Sequence, residues 1–186
     1  MDDEHKRVPG GQTFKFSNHP RENVSWVDAV AFCRWLTEKA TACPELLPKA
    51  LRGQAKCEIT LPTEWQWEKA ARGQDGREYP YKGPFDAAKG NTWDTGIRRT
   101  SAVGIFPNGA SPYGVLDMIG NVWEWCLNED YNPANLWLNA RVVRGGSWYS
   151  GFDGERAASR NNDLPYFRLI NFGFRLVVRP AFSVSH

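Results

Sequence analysis

Residues 144–175 read RGGSWYSGFDGERAASRNNDLPYFRLINFGFR. The two ends, RGGSW and GFR, have the texture of ordered structure. Between them Tyr, Ser, Gly, Phe, Asp, Asn, Leu and Ile follow one another with no period that a helix or a strand requires. The stretch is therefore a loop, a catalytic segment or a displayed surface, and the rest of the chain has to say which.

The chain has 186 residues, 41% hydrophobic and 13% aromatic, with 9 Trp. At that length one domain is the default, and roughly 70% of the unfolded surface can be buried without staples. Lys and Arg number 23 against 21 Asp and Glu, a net charge of +2. No block of like charge stands anywhere, which argues against nucleic acid as a partner, since polyanion binding needs a clustered basic face. The 4 cysteines, Cys33, Cys43, Cys57 and Cys126, form no CxxC pair and no metal-ligand spacing, so free thiols are expected. The charged start and the lack of an 18-residue apolar run predict no membrane insertion, and a cytoplasmic location by default.

Two helices are predicted. Ser25 and Asp28 have capping-box spacing ahead of an apolar pattern, which predicts a helix over Trp26–Lys39. Thr63 and Gln66 repeat that spacing, and Gly73 supplies a stop, which predicts a shorter helix over Glu64–Arg72. From Gln74 to Tyr113 turn-forming residues recur, so ordered loops anchored by Tyr79, Tyr81, Trp93 and Phe106 are expected. Short strands are expected at Val122–Cys126, Arg141–Gly145 and Phe174–Arg179. The class is α+β with extensive ordered loops.

In order along the chain, NVSWVDAVAFCRWL, LPTEWQWEKAARG, YPY, GNTWDTG, FPNGASPYGVLDMIGNVWEWC, RVVRGGSW and GFRLV resemble the domain of the formylglycine-generating enzyme, or sulfatase-modifying factor, family. The resemblance implies a C-type-lectin-like fold, two helices against a small antiparallel sheet. It divides the chain into a polar segment 1–18, a domain 19–180 and a tail 181–186. The Trp residues in these motifs, Trp26, Trp35, Trp65, Trp67, Trp123, Trp125 and Trp148, are expected in the core.

The family's oxidases use a cysteine pair soon after RGGSW to bind copper. Tyr149 to Glu155 contain no thiol, and a serine hydroxyl is no substitute for a soft thiolate on copper(I). Three histidines, His5, His19 and His186, do not make an iron triad. No catalytic residue and no catalytic cofactor are therefore expected. A structural calcium is, because the resemblance implies ligands at Asp117, Gly120, Val122 and Glu124, an all-oxygen set that suits a hard cation. Asn91 and Thr92 resemble part of a second calcium loop, shortened here.

The segment after Trp148 resembles the variable region of a second group with this fold, the variable proteins of diversity-generating retroelements. In those proteins adenines of Asn-type template codons are copied into random bases, which yields Tyr, Ser, Gly, Phe, Asp, Leu, Ile or Asn. The resemblance implies variable, ligand-contacting positions within 149–172 at Tyr149, Ser150, Gly151, Phe152, Gly154, Ser159, Asn161, Asn162, Asp163, Leu164, Tyr166, Phe167, Leu169, Ile170, Asn171 and Phe172. Such codons never give Lys, Glu, Gln, Met or Trp, and Glu155 is the one residue of those types in 149–172; it falls in a fixed frame with Arg156, Ala157 and Ala158, while Arg160, Pro165 and Arg168 are spacers. Aromatics mixed with Ser, Gly and Asn also make a physically sensible contact surface. The expectation is a non-catalytic receptor-like protein whose ligand is a protein or cell-surface molecule. The alternative is a divergent formylglycine-generating-type oxidase or an inert accessory domain.

Overall fold

The computed structural model describes residues 11–52, 57–130, 139–151 and 155–180. Phe152 and Gly154, the tail 181–186 and part of the polar segment lie outside the described residues.

Helix α1 spans Trp26–Ala42. Its capping box forms as expected: the Ser25 hydroxyl accepts from Asp28 N–H at 3.1 Å, and the Asp28 carboxylate accepts from Ser25 N–H at 3.1 Å. It runs past the expected Lys39 because no breaker stands before Pro44, and Cys43 N–H still reaches Lys39 O at 2.8 Å. Helix α2 spans Glu64–Arg72 as expected, with a Thr63–Gln66 capping box. Gly73 ends it at φ 68°, and a Cβ there would meet Pro112 Cγ at 2.8 Å, so glycine is required.

There are two small sheets. Strands β1 (Cys57–Thr60) and β6 (Val177–Pro180) pair antiparallel. The second sheet has the order β4-β3-β2-β5, with β2 at Trp123–Glu129, β3 at Arg141–Arg144, β4 at Arg160–Asp163 and β5 at Phe172–Gly173. This sheet is mixed: β5 runs parallel to β2 while the β2–β3 and β3–β4 pairs are antiparallel. Sequence patterning misses β1, β4 and β5, since four-residue and two-residue strands are too short to show a period. It places the last strand three residues early.

One core lies between α1 and the second sheet and contains Ala29, Cys33, Leu61, Trp125, Val143 and Phe172. A second lies under α2 and contains Trp67, Met118, Cys126, Val142 and Ala157. Tyr79 and Tyr81 anchor the long loop region, buried and stacked at 5.7 Å. Trp93, expected beside them, is 42% exposed. Two other tryptophans also depart from expectation: Trp35 and Trp65 stand on the outer faces of their helices, 50% and 74% exposed. An indole in a framework motif is therefore not always a core indole.

The turn Asp117–Val122 joins these layers. Gly120 packs so closely that a Cβ would stand 2.2 Å from Asn91 O, and Gly120 N–H donates to Gly145 O at 2.7 Å. Trp148 N–H donates to Asn121 O at 3.0 Å, which fixes the point where the variable-like segment begins.

All four cysteines are free, as expected. No helix among the described residues is long and apolar enough to cross a membrane.

Candidate ligand-binding face

The segment between RGGSW and GFR is held by its arginines. Arg144, 1% exposed, donates to the carbonyls of Ala157 and Ala158 at 2.9 Å each and to Glu68 at 2.8 Å. Arg160 reaches Glu64 at 2.8 Å and Asp130 at 3.0 Å, Arg168 reaches Asp28 at 2.8 Å, and Arg156 faces Glu78 at 3.7 Å. Arg175 closes the segment on Glu124. Every acid partner sits on the framework, so the arginines spend their charge inward and pin the chain with charge-assisted bonds.

Backbone bonds add stitches. Asn23 N–H donates to Leu169 O at 3.1 Å, Val27 N–H to Pro165 O at 3.2 Å and Trp93 N–H to Ser150 O at 3.0 Å. The described residues of the segment are thus held in place, though they show no hydrophobic period, because their partners are remote in sequence.

What this fixed backbone presents is aromatic and aliphatic. Tyr149 is 63% exposed, Tyr166 59%, and Phe167, Leu169 and Ile170 are exposed as well. Tyr166 and Phe167 meet edge to face at 5.2 Å. Gly151 and Asn161 are exposed, and Ser150, Ser159, Asn162, Leu164 and Asn171 are half-buried. Asn162 donates to Asp130 at 2.7 Å and Asn171 to the Ser147 hydroxyl at 3.3 Å, so both also brace the scaffold.

Two expected contact positions are corrected. Phe172 is buried in the main core with its ring edge-on to Trp125 at 5.2 Å. It cannot meet a ligand without unpacking that core. Asp163 is buried at the end of β4, and burial raises its carboxyl above the ordinary range.

Trp93 and Arg98 join the exposed face from outside the segment. The Arg98 guanidinium stacks 3.2 Å over the Trp93 ring, and Tyr149 meets that ring edge-on at 5.5 Å. The sequence signal for this pair, an aromatic in a Gly- and Thr-rich loop, is the same signal that suggests a core anchor.

Glu155, read as a fixed-frame residue, is fully buried, and among the described residues its carboxylate makes no hydrogen bond of ordinary geometry, the Thr92 side chain standing nearby. Burial, with the nearby Asp94 charge adding to it, pushes its pKa up to about 8. It is therefore held mainly as the neutral acid at pH 7.

Of the expected calcium set, Asp117 and Glu124 lie against one arginine. Arg175 Nη2 donates to Glu124 Oε1 at 2.7 Å and to Asp117 O at 3.0 Å, and Trp67 Nε1 donates to Glu124 Oε2 at 2.6 Å. The Asp117 carboxylate accepts from Gly104 N–H at 2.7 Å. A guanidinium already supplies the positive charge against Glu124, and N–H groups, which repel a metal ion, point at both of its oxygens. Among the described residues no group of three or more His, Cys, Asp or Glu is arranged to hold a metal. Asn91, in the shortened second loop, has its side-chain amide bonded to Arg99 O at 2.9 Å.

The buried thiols are poor nucleophiles. Burial pushes Cys33 up to about 11 and raises Cys126 further, so neither is a thiolate near neutral pH.

The family described as Sulfatase-modifying factor enzyme 1-like domain (FGE-sulfatase) matches residues 1–180. The chain is 33% identical over 183 residues to Inactive C-alpha-formylglycine-generating enzyme 2 of Bos taurus, covering 90% of this chain and 52% of that protein. It is 30% identical over 201 residues to the Formylglycine-generating enzyme of Mus musculus, covering 92% of this chain and 47% of that protein. The chain thus spans about half the length of these relatives. Among solved structures, Treponema denticola variable protein 1 superposes with a TM-score of 0.69 at 25% identity, over 94% of this chain and 77% of that one.

Proposed function

This chain belongs to the family of sulfatase-modifying factor enzyme 1-like domains, and from that premise we propose that it is a non-catalytic member that presents the segment 149–171 as a diversified surface for binding a protein. The observation that carries this reading is the division of labour within the segment. Its arginines and backbone bind the framework, while Tyr149, Tyr166, Phe167, Leu169 and Ile170 face solvent. Contiguous exposed aromatics are costly in water unless a partner covers them, and Tyr and Phe supply rigid contact area at low entropic cost.

The kind of partner follows from the charges. Because Arg156, Arg160 and Arg168 are each paired with a framework acid, the surface the segment presents is largely apolar and amide-bearing, with the Arg98 guanidinium stacked on Trp93 beside Tyr149. That composition favours a protein surface over nucleic acid. The absence of thiols after Trp148 and the inert state of Cys33 and Cys126 support a non-catalytic reading. The likeness to a relative named inactive and to one named a variable protein agrees with it.

The test is to sequence this gene deeply across a growing population, together with its flanking DNA. The expected result is substitution confined to the codons of the exposed positions, with a near-copy repeat and a reverse transcriptase nearby. Variation spread evenly along the gene would remove the diversification. Copper-dependent oxygen uptake with a cysteine peptide would favour the oxidase instead.

A further inference from the structure

Trp93 and Arg98 stand beside Tyr149, yet neither belongs to the segment between RGGSW and GFR. They ride on the loop 91–101, which is tied to the base of the segment at both ends. Trp93 N–H donates to Ser150 O at 3.0 Å, and the Asn121 side-chain amide accepts from Ser101 N–H at 3.1 Å and donates to Ser101 O at 3.3 Å. Arg98 Nη1 also donates to Trp93 O at 2.8 Å, so a hydrogen bond and a ring stack together clamp the guanidinium over the indole. The Arg98 backbone holds φ 59°, a left-handed conformation that a non-glycine residue keeps only where its surroundings impose it.

The charge at this place is not spent. Arg144, Arg156, Arg160, Arg168 and Arg175 each face a framework acid. Arg98 and its neighbour Arg99 are exposed and make no ion pair with an acid among the described residues. Arg99 lies over a second exposed ring, Phe16, at 5.7 Å. Asp94, the one acid of residues 91–101, pairs with neither arginine and lies near Glu155. Two cations against one acid are too small a basic face for a polyanion.

A guanidinium flat on an indole keeps its edge N–H groups for a further acceptor, and a carboxylate matches that fork with two parallel bonds. Trp, Tyr and Arg are also the side chains most enriched where a protein interface concentrates its binding energy. Covering Trp93 and Tyr149 with an apolar partner strips water from Arg98, and a desolvated charge with no counter-charge opposes binding. The partner therefore has to bring an acid to this point. We propose that Trp93 and Arg98 are a fixed anchor of the binding face, taking an aspartate or glutamate of a protein partner on the Arg98 edge and an adjoining apolar side chain against Trp93 and Tyr149. The inference rests on the reading that residues 149–171 receive a protein, and it adds a division of roles: the segment selects among partners, while the loop, outside the segment, sets the charge they share.

The test selects peptides from a random phage-displayed library on the full-length chain and measures the enriched peptides by calorimetry. The expected peptides carry Asp or Glu beside an aromatic or aliphatic residue. Changing that acid to its amide should weaken binding to the parent chain by about tenfold or more, a readout that needs no protein variant. Arg98→Gln should weaken it equally with an unchanged melting temperature, Arg98→Lys should weaken it less, and added salt should weaken it in the parent. Trp35→Ala, which removes an exposed indole on α1, should have no effect. Peptides that lose affinity in Tyr166→Ser or Leu169→Ser, but neither in Arg98→Gln nor on amidation, would overturn the anchor and leave the binding face standing. No enrichment, or peptides indifferent to Tyr149→Ala, Tyr166→Ser and Arg98→Gln alike, would overturn both. Tighter binding of an oligothymidylate than of any peptide, lost in Arg98→Gln, would assign the guanidinium to phosphate and overturn the acidic protein partner.

Discussion

Arg175 and Glu124 lock the end of the variable-like segment to the middle of the sheet: Nη2 of the arginine stands 2.7 Å from Oε1 of the carboxylate, and Trp67 Nε1 fills the other oxygen at 2.6 Å. Glu124 lies on β2 and Trp67 on α2, so one carboxylate ties together a strand, a helix and the closing GFR. Arg175→Ala leaves that buried carboxylate without its counter-charge and should cost about 3–5 kcal/mol in urea unfolding. A double variant, Arg175→Met with Glu124→Gln, should cost clearly less than Arg175→Ala, because no unpaired charge remains. Equal losses would mean that packing, not charge, holds the segment's end.

The same contact governs calcium. Since Arg175 supplies the positive charge at Glu124, the melting temperature should not fall when EGTA replaces calcium. A drop of about 4 °C or more, corresponding to about 1 kcal/mol for a domain of this size, would return calcium to Asp117 and Glu124.

Exposed and buried members of the segment should separate in stability. Tyr166→Ser, Leu169→Ser and Ile170→Ser should each change unfolding free energy by no more than about 0.5 kcal/mol. Phe172→Ala, which empties a place beside Trp125, should cost about 3–5 kcal/mol. Comparable losses at all four positions would assign the whole segment to the core.

Glu155 makes stability fall with rising pH. Its folded pKa, about 8, lies above the ordinary carboxylate value, so the folded state binds the proton more tightly than the unfolded chain does. The favourable contribution is complete at pH 4, below the unfolded pKa, and is lost as pH rises toward and through 8. Glu155→Gln, which keeps the neutral shape, should remove this slope, leaving the variant more stable than the parent at pH 9 by on the order of 5 kcal/mol. Parallel pH curves for parent and variant would show that the buried acid finds a counter-charge.

Much of the framework was legible because its signals are local. A capping box needs only residues three apart, which is why Ser25–Asp28 and Thr63–Gln66 mark both helix starts correctly. The motif run around DMIGNVWEW carries the fold because its glycine and positive-φ residues are demanded by close contacts such as Gly120 on Asn91. Strand β4 was not legible: Arg160–Asp163 looks polar and aperiodic, and becomes a strand only because β3 offers it an edge.

For the candidate site, residue type and order by themselves delimited the segment between RGGSW and GFR and excluded thiol chemistry within it. They could not tell Phe172 from Phe167, one packed on Trp125 and the other facing solvent, since both satisfy the same compositional filter. Nor could they show that Arg175 would occupy the carboxylate expected to hold calcium, or that Trp65 would face outward while Trp67 faces inward. Those outcomes depend on which groups the folded chain brings within a few ångströms across 50 to 100 residues of sequence, and burial and pairing at that range are properties of the packed structure alone.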